Sequence, residues 1–466
     1  MPAPGISAKR KEEVSSGAGG GGRQWRRSMD GASESRSAVL SQRAPGQGVP
    51  PTSHLREAAW LVAVAAVGLG IVFSRRPDAF LRPQLWAEDG AFWFHDAYDF
   101  GPWAPLLWPH AGYFETFPRV VSDMALALPL RLLPAWDNSI AAAVQLLPAL
   151  MVASRRFSQV VPSRWVRLWL ALAYLAVPNS YELNVNLTNA QWHLALAAAL
   201  AALAPALSKA GKAADTALLA VSGLTGPFAL ALAIPAWISA LWYRGRWRIF
   251  VAAWVSLFAA VQLASLLTQQ RVAGAGPVKL GASPARAVHI LAGQVVAGLL
   301  VGQAGYGWLL HQAWWPTAAY GVVGLAVLAG AYCMAKAPVE LRLFVLFAGC
   351  ILGGALLSPA GAGLPAWVRL AEAGYGPRYW LIPMLALAAC LTWMAGRERV
   401  WFARIFAAAA IATMIGTGMR LDWQYPPMPN LHFPRYAAAF ERARPGQVVR
   451  IPILLPPYWT MELTKH

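Results

Sequence analysis

The sequence predicts an all-α, polytopic membrane protein with about 11–13 transmembrane helices. Three observations carry that expectation. Hydrophobic residues make up 57% of the chain and charged ones only 13%, too few charges to coat a water-facing surface of this size. Apolar runs of about 16–25 residues recur along the chain, long enough to cross hydrocarbon, and they do not alternate as barrel strands would. The 23 Trp fit amphipathic rings collected at membrane–water interfaces.

Charge distribution narrows the class further. The formal net charge of +18 is scattered over a basic N-terminal tail and short turns such as Arg155-Arg156 and Arg244–Arg248. Topology-setting residues are spread in this way, and no nucleic-acid-binding face is formed. Cys333, Cys350 and Cys390 lie in or beside apolar runs with no CxxC spacing, so they read as small buried hydrophobes.

Residues 1–53 are rich in Gly, Ser and Arg and lack apolar periodicity, which predicts a disordered basic tail on the cytoplasmic side. The transmembrane domain follows over 54–420. Its first apolar run, 58–73, lacks a signal-peptide cleavage pattern and reads as a retained span. Further runs lie near 120–134, 139–153, 165–178, 192–207, 214–242, 249–268, 286–304, 314–334, 342–358, 379–395 and 401–418. The 120–134 run carries Asp123, Arg131 and two prolines and suits an interfacial position instead. The 214–242 run is interrupted at Gly223–Pro227 and is divisible into half-helices. Residues 421–466 form a short extracytoplasmic tail with one strand-like stretch, Val448–Leu454, and too little chain for a core of its own.

The first outer loop, 85–119, is the candidate catalytic element. Leu85–Asp96 crowds Glu88, Asp89, Asp96 and His95 among aromatic rings beside the first span, where carboxylates are costly unless used. A helix starting at Gly90 makes Asp89 an N-cap and brings Asp96 to its face, with Asp99 on the face of Glu88. Such a cluster suits either proton abstraction or a divalent cation, Mn or Mg, held by Glu88 and Asp89. Two other stretches carry polar groups at helix mouths. In Glu182–His193, Asn189, Gln191 and His193 suit hydrogen bonds to a polyhydroxylated ligand, or simply a capped loop. Arg378 and Tyr379, after Gly374-Tyr375-Gly376-Pro377, open a helix as an anion site or as an interfacial anchor. No Walker loop, HExxH or GxSxG occurs, so the usual parts of P-loop, zinc-protease and α/β-hydrolase chemistry are missing.

A first span followed by an acidic pair in the first outer loop resembles the GT-C superfamily of membrane glycosyltransferases. Arg82–Gly90, Gly112-Tyr113 with Pro118-Arg119, the Asn189–Trp192 helix mouth, Leu224–Phe228, Gly376–Tyr379 and the tail Ile451–Ile453 with Trp459–Met461 resemble bacterial membrane proteins of that type. The resemblance implies a GT-C-like fold in a bacterial inner membrane. It also implies a polyprenyl-phosphate sugar donor, a cell-envelope glycan or glycolipid acceptor, and transfer outside the cytoplasm with inversion. Asp89 would then be the base and Glu88 its orienting or metal-sharing neighbour. Arg378 would hold the lipid phosphate. Asn189, Gln191, His193, Tyr113, Arg119 and Tyr379 would be substrate contacts. The acids here are adjacent rather than spaced as Asp-x-Asp, and the large soluble C-terminal domain of some relatives is reduced to a tail. A transporter or flippase for a lipid-linked or small polar substrate is the rival reading.

Overall fold

The structure, a computed structural model, describes residues 51–268, 279–359, 365–455 and 459–466. Residues Ala59–His466 form one compact unit. The expected disordered tail, residues 1–53, lies outside the described residues except for its last three positions, which open a helix.

About 73% of the structure is helical, in keeping with the predicted class. In chain order the principal helices are α1 (Pro51–Arg75), α2 (His95–Phe100), α3 (Thr116–Ala125), α4 (Leu133–Ala153), α5 (Arg164–Leu175), α6 (Ala190–Leu203), α7 (Lys209–Gly223), α8 (Phe228–Tyr243), α9 (Arg246–Thr268), α10 (Pro284–Ile290), α11 (Gly302–Leu310), α12 (Trp315–Lys336), α13 (Val339–Leu357), α14 (Pro377–Arg397), α15 (Trp401–Thr413) and α16 (Phe433–Glu441). One hairpin, β1 (Val448–Ile453) and β2 (Trp459–Thr464), closes the chain.

Among the described residues, seven helical segments are long and apolar enough to cross a membrane: His54–Arg75, Leu130–Gln159, Arg246–Thr268, Trp315–Lys336, Val339–Leu357, Pro377–Gly396 and Trp401–Met419. Seven is fewer than the 11–13 expected, because several apolar runs fold as shorter helices. The 165–178 run becomes the 12-residue α5, and the 120–134 run becomes the end of α3 and a 3-10 turn at Leu130–Leu132. The 214–242 run breaks at Leu224–Pro227, between α7 and α8. Helix α6 is 14 residues of mostly Ala and Leu, and every one of them is buried. At 1.5 Å per residue it is about 21 Å long, short of a bilayer core. Its apolarity reflects burial among α4, α7, α8, α9 and α13. Small Ala side chains let those backbones approach closely. Cys333 and Cys390 are buried and all three cysteines are free, as their surroundings in the sequence suggested.

The C-terminal segment has no core of its own, but it completes one. Strand β1 pairs antiparallel with β2 from Val448↔Thr464 to Ile453↔Trp459. The strand was legible in the sequence; its partner was not. One face of the hairpin buries Ile451, Ile453, Met461 and Leu463. These pack with Phe433, Ala437 and Phe440 of α16 against Leu85, Phe94, Ala125, Leu130 and Leu133. The tail is therefore seated on the acidic loop.

Candidate active site at the acidic turn

The tail shapes the turn that carries the acids. The Leu454 N–H donates to the Leu85 carbonyl and the Ala87 N–H to the Leu454 carbonyl, both at 3.3 Å, so the chain is gripped on either side of Trp86. Ala87 is held at φ 41°, a left-handed conformation that costs a residue with a Cβ about 1–3 kcal/mol. Gly90 follows, where a Cβ would stand 2.7 Å from Ile453 Cδ1 and 2.8 Å from Leu85 Cδ1. Glycine lets the turn lie this close to the hairpin without pushing those side-chain ends aside.

The two adjacent acids consequently meet different surroundings. Asp89 is wholly buried. Its Oδ1 accepts the Thr188 N–H at 2.7 Å and the Thr188 hydroxyl at 2.6 Å, and its Oδ2 accepts the Trp86 and Leu187 N–H groups at 3.3 Å. These bonds run back to Trp86 and across to the 187–188 loop rather than into the helix, so Asp89 is not the N-cap expected. It clasps two loops together, and the Trp93 indole N–H adds a 3.3 Å bond to Thr188 Oγ1. Burial pushes the Asp89 carboxyl up to about 7, against the pull of its Thr188 bonds.

Glu88 is partly exposed. Burial raises its carboxyl above the ordinary value; Arg378 opposes that shift and the Glu182 carboxylate adds to it. Thr188 lies within hydrogen-bond reach of both acids, and its single hydroxyl proton serves one at a time.

The helix that follows also departs from expectation. Asp89–Phe94 is a π-helical turn, wider than an α-turn, and only then does α2 begin. Seven residues no longer make two turns, so Asp96 and Asp99 do not gather with Asp89 and Glu88. Asp96 instead accepts Arg119 Nη1 at 2.9 Å, and Asp99 accepts the Thr464 N–H and hydroxyl at 3.3 and 3.2 Å.

The carboxylates that do approach Glu88 come from elsewhere. Glu115 is 2% exposed and hydrogen-bonds Gln191, while its Oε2 has no protein partner. Burial, then the nearby Glu88, hold its carboxyl well above the usual range, with Arg119 opposing. Its segment is fixed by Gln262, fully buried on α9, whose Oε1 accepts the Phe114 N–H at 2.9 Å. Gln262 Nε2 donates to Gly223 and Gly226 at 3.1 and 3.2 Å. The Leu224–Pro227 break thus serves to seat Glu115. Glu182 forms an ion pair with Arg378 in the first turn of α14, just after Gly376 at φ 59°. Tyr113 lies within electrostatic reach of Glu115, Tyr379, Arg378 and Glu88; burial raises its phenol well above the usual range.

Of the residues picked from sequence, Glu88, Tyr113, Gln191, Arg378 and Tyr379 come together. Arg119 is 3% exposed and spends Nη1 on Asp96, with its guanidinium 4.9 Å over the Trp93 ring. Asn189 donates to the Glu182 carbonyl at 3.0 Å and to Asn186 Oδ1 at 2.9 Å, so it builds the loop. His193 is 3% exposed, with Nδ1 2.7 Å from the Tyr174 hydroxyl and Nε2 2.9 Å from the Leu183 carbonyl. Both of its ring nitrogens are committed to the fold. Glu115, Thr188 and Gln262 escaped notice, although acids as isolated as Glu115 in so apolar a chain are themselves a signal.

Asp89 is not available to ligate a divalent cation. Asp89 has its oxygens filled by four N–H and O–H donors, and among the described residues no group of three His, Cys, Asp or Glu is arranged to ligate a metal. Comparison with protein-family models, curated proteins and solved structures gives no match for this chain.

Proposed function

We propose that this protein is a multi-pass membrane glycosyltransferase of the GT-C type. It takes a sugar from a polyprenyl-phosphate donor and passes it to a cell-envelope glycan or glycolipid on the extracytoplasmic side of a bacterial inner membrane. The observation that carries the proposal is one partly exposed acid, Glu88, gathered with the Arg378–Glu182 pair and the Tyr113 and Tyr379 phenols at a helix mouth.

In this reading Glu88, not Asp89, is the base. It takes the proton of an acceptor hydroxyl whose oxygen bonds to the anomeric carbon. The bond from that carbon to the phosphate oxygen breaks, and its electron pair leaves on the phosphate. The Arg378 guanidinium meets that charge, and Glu182 keeps the guanidinium aimed. Asp89 touches no substrate; it fixes the backbone from which Glu88 projects. No step is routed through a metal.

One observation favours the transporter reading. Asp137 is fully buried in the Leu130–Gln159 segment, beside Asp89, and neither of its oxygens has a protein partner. An intramembrane acid of this kind is the usual proton site of a transporter. A single comparison separates the two. Purified protein in lipid nanodiscs is given a panel of polyprenyl-phosphate sugars, and release of the lipid phosphate is followed. As an enzyme, the parent and Asp137→Asn release it and Glu88→Gln does not. Absence of release with every donor, together with substrate uptake into proteoliposomes that is lost in Asp137→Asn, would establish the transporter instead.

A further inference from the structure

The Arg378–Glu182 pair joins two segments that are far apart in the chain, and a second pair of side chains links the stretches just before them. Gln294 is fully buried at the centre of the π-helical turn Leu291–Ala297, which continues α10. Its Nε2 donates to the carbonyls of Leu370, Glu372 and Tyr375 at 2.8, 2.7 and 3.4 Å. That one amide gathers the turn leading into α14. Its Oε1 accepts Asn179 Nδ2 at 3.2 Å. Asn179 is also fully buried and sits at φ 49°, a conformation Asn tolerates better than most residues. Its backbone N–H donates to Asp422 Oδ2 at 2.8 Å. Tyr375 stands three positions before Arg378, and Asn179 three before Glu182. The amide bridge is therefore equally close in sequence to both members of the ion pair.

We infer that Gln294 and Asn179 form a positioning clamp that sets the separation of Arg378 and Glu182, and so where the guanidinium points. An amide suits this place because it is donor and acceptor at once without charge; a carboxylate would face three carbonyls, and an ammonium would offer Asn179 no acceptor. The π turn has a matching role. Its wider winding places Gln294 against loop carbonyls in a part of the chain otherwise made of small and apolar residues.

Two variants test the clamp. Asn179→Gly keeps the left-handed backbone and its bond to Asp422 while removing the bridge; Gln294→Met keeps the length and loses every side-chain bond, leaving only the 3.4 Å bond from Asn179 Nδ2 to the Gln294 carbonyl. Hydrogen exchange in nanodiscs reads the loops without reference to activity. Exchange over 371–376 and 180–183 should quicken about tenfold or more, equivalent to about 1.4 kcal/mol of lost protection, while Val339–Leu357 and Trp401–Met419 stay unchanged. Unchanged loop exchange in both variants overturns the clamp. The kinetic half rests on the glycosyl-transfer reading: Asn179→Gly should lower the donor kcat/KM about tenfold. An unchanged donor kcat/KM would mean the bridge does not aim Arg378. A parent protein inactive on every donor would sink the transferase reading, and the exchange data would still decide the clamp.

Discussion

Asp89→Asn separates the work of the two adjacent acids. The Asp89 carboxyl titrates at about 7 against an ordinary 3.8. The folded state therefore holds a proton there that the unfolded chain has already released. This stabilising contribution is complete below about pH 4 and is lost as pH rises through about 7. At about 1.4 kcal/mol for each pH unit between the two values, the loss by pH 8 is at most about 4 kcal/mol. Asparagine carries no charge at any pH. It keeps an acceptor for the two short Thr188 bonds and turns its amide toward the Trp86 and Leu187 N–H groups, a conflict costing about 1–3 kcal/mol. Avoided burial of charge outweighs that conflict. At pH 8 the variant should equal or exceed the parent in stability, by up to about 3 kcal/mol. Tryptophan-fluorescence melting in detergent at pH 5, 6.5 and 8 checks this: the parent Tm should fall more steeply across the series than the variant Tm, whose remaining slope comes from the other buried acids such as Glu115. Activity at pH 8 should remain within about tenfold of the parent, while Glu88→Gln loses on the order of 10²–10⁴ in kcat with its Tm preserved. A variant that melts well below the parent at pH 8, or that loses as much activity as Glu88→Gln, would refute the reasoning, because Asp89 would then be needed as an anion.

Burial raises the Glu88 carboxyl, and a base must be unprotonated, so the acid limb of kcat/KM should lie above the ordinary Glu value. A limb at or below pH 4.5 would contradict that environment. Arg378→Lys keeps the charge but loses the planar fork shared with Glu182, so the donor KM should rise about tenfold at unchanged protein level; an unchanged KM would leave Arg378 as an anchor. Gly90→Ala drives a methyl into Ile453 and Leu85, so it should loosen the hairpin by about 1–3 kcal/mol and expose residues 443–455 to limited proteolysis.

Sequence patterns revealed the helical membrane class, the acidic turn, the break at Leu224–Pro227 and Arg378 at a helix mouth, because each is written in local composition. What they missed depends on distant partners. The π turn at Asp89–Phe94 is packed against a hairpin more than 350 positions later, and Asp96 finds Arg119 rather than its helical neighbours. Apolarity alone also does not fix the number of spans. A helix buried in protein, such as Ala190–Leu203, is as apolar as one facing lipid, and only its length and its neighbours tell them apart.

The docking of the hairpin on residues 85–87 also fixes a parity. Two stretches joined by backbone hydrogen bonds occupy the same side of a membrane, so the chain between Ala87 and Leu454 crosses it an even number of times. Six of the seven long apolar helices fall in that interval, which already satisfies the condition. Any of the shorter helices that cross must do so in pairs. A total of twelve crossings, with one before the acidic turn, would leave the hairpin and the turn on opposite faces, and is ruled out by two hydrogen bonds.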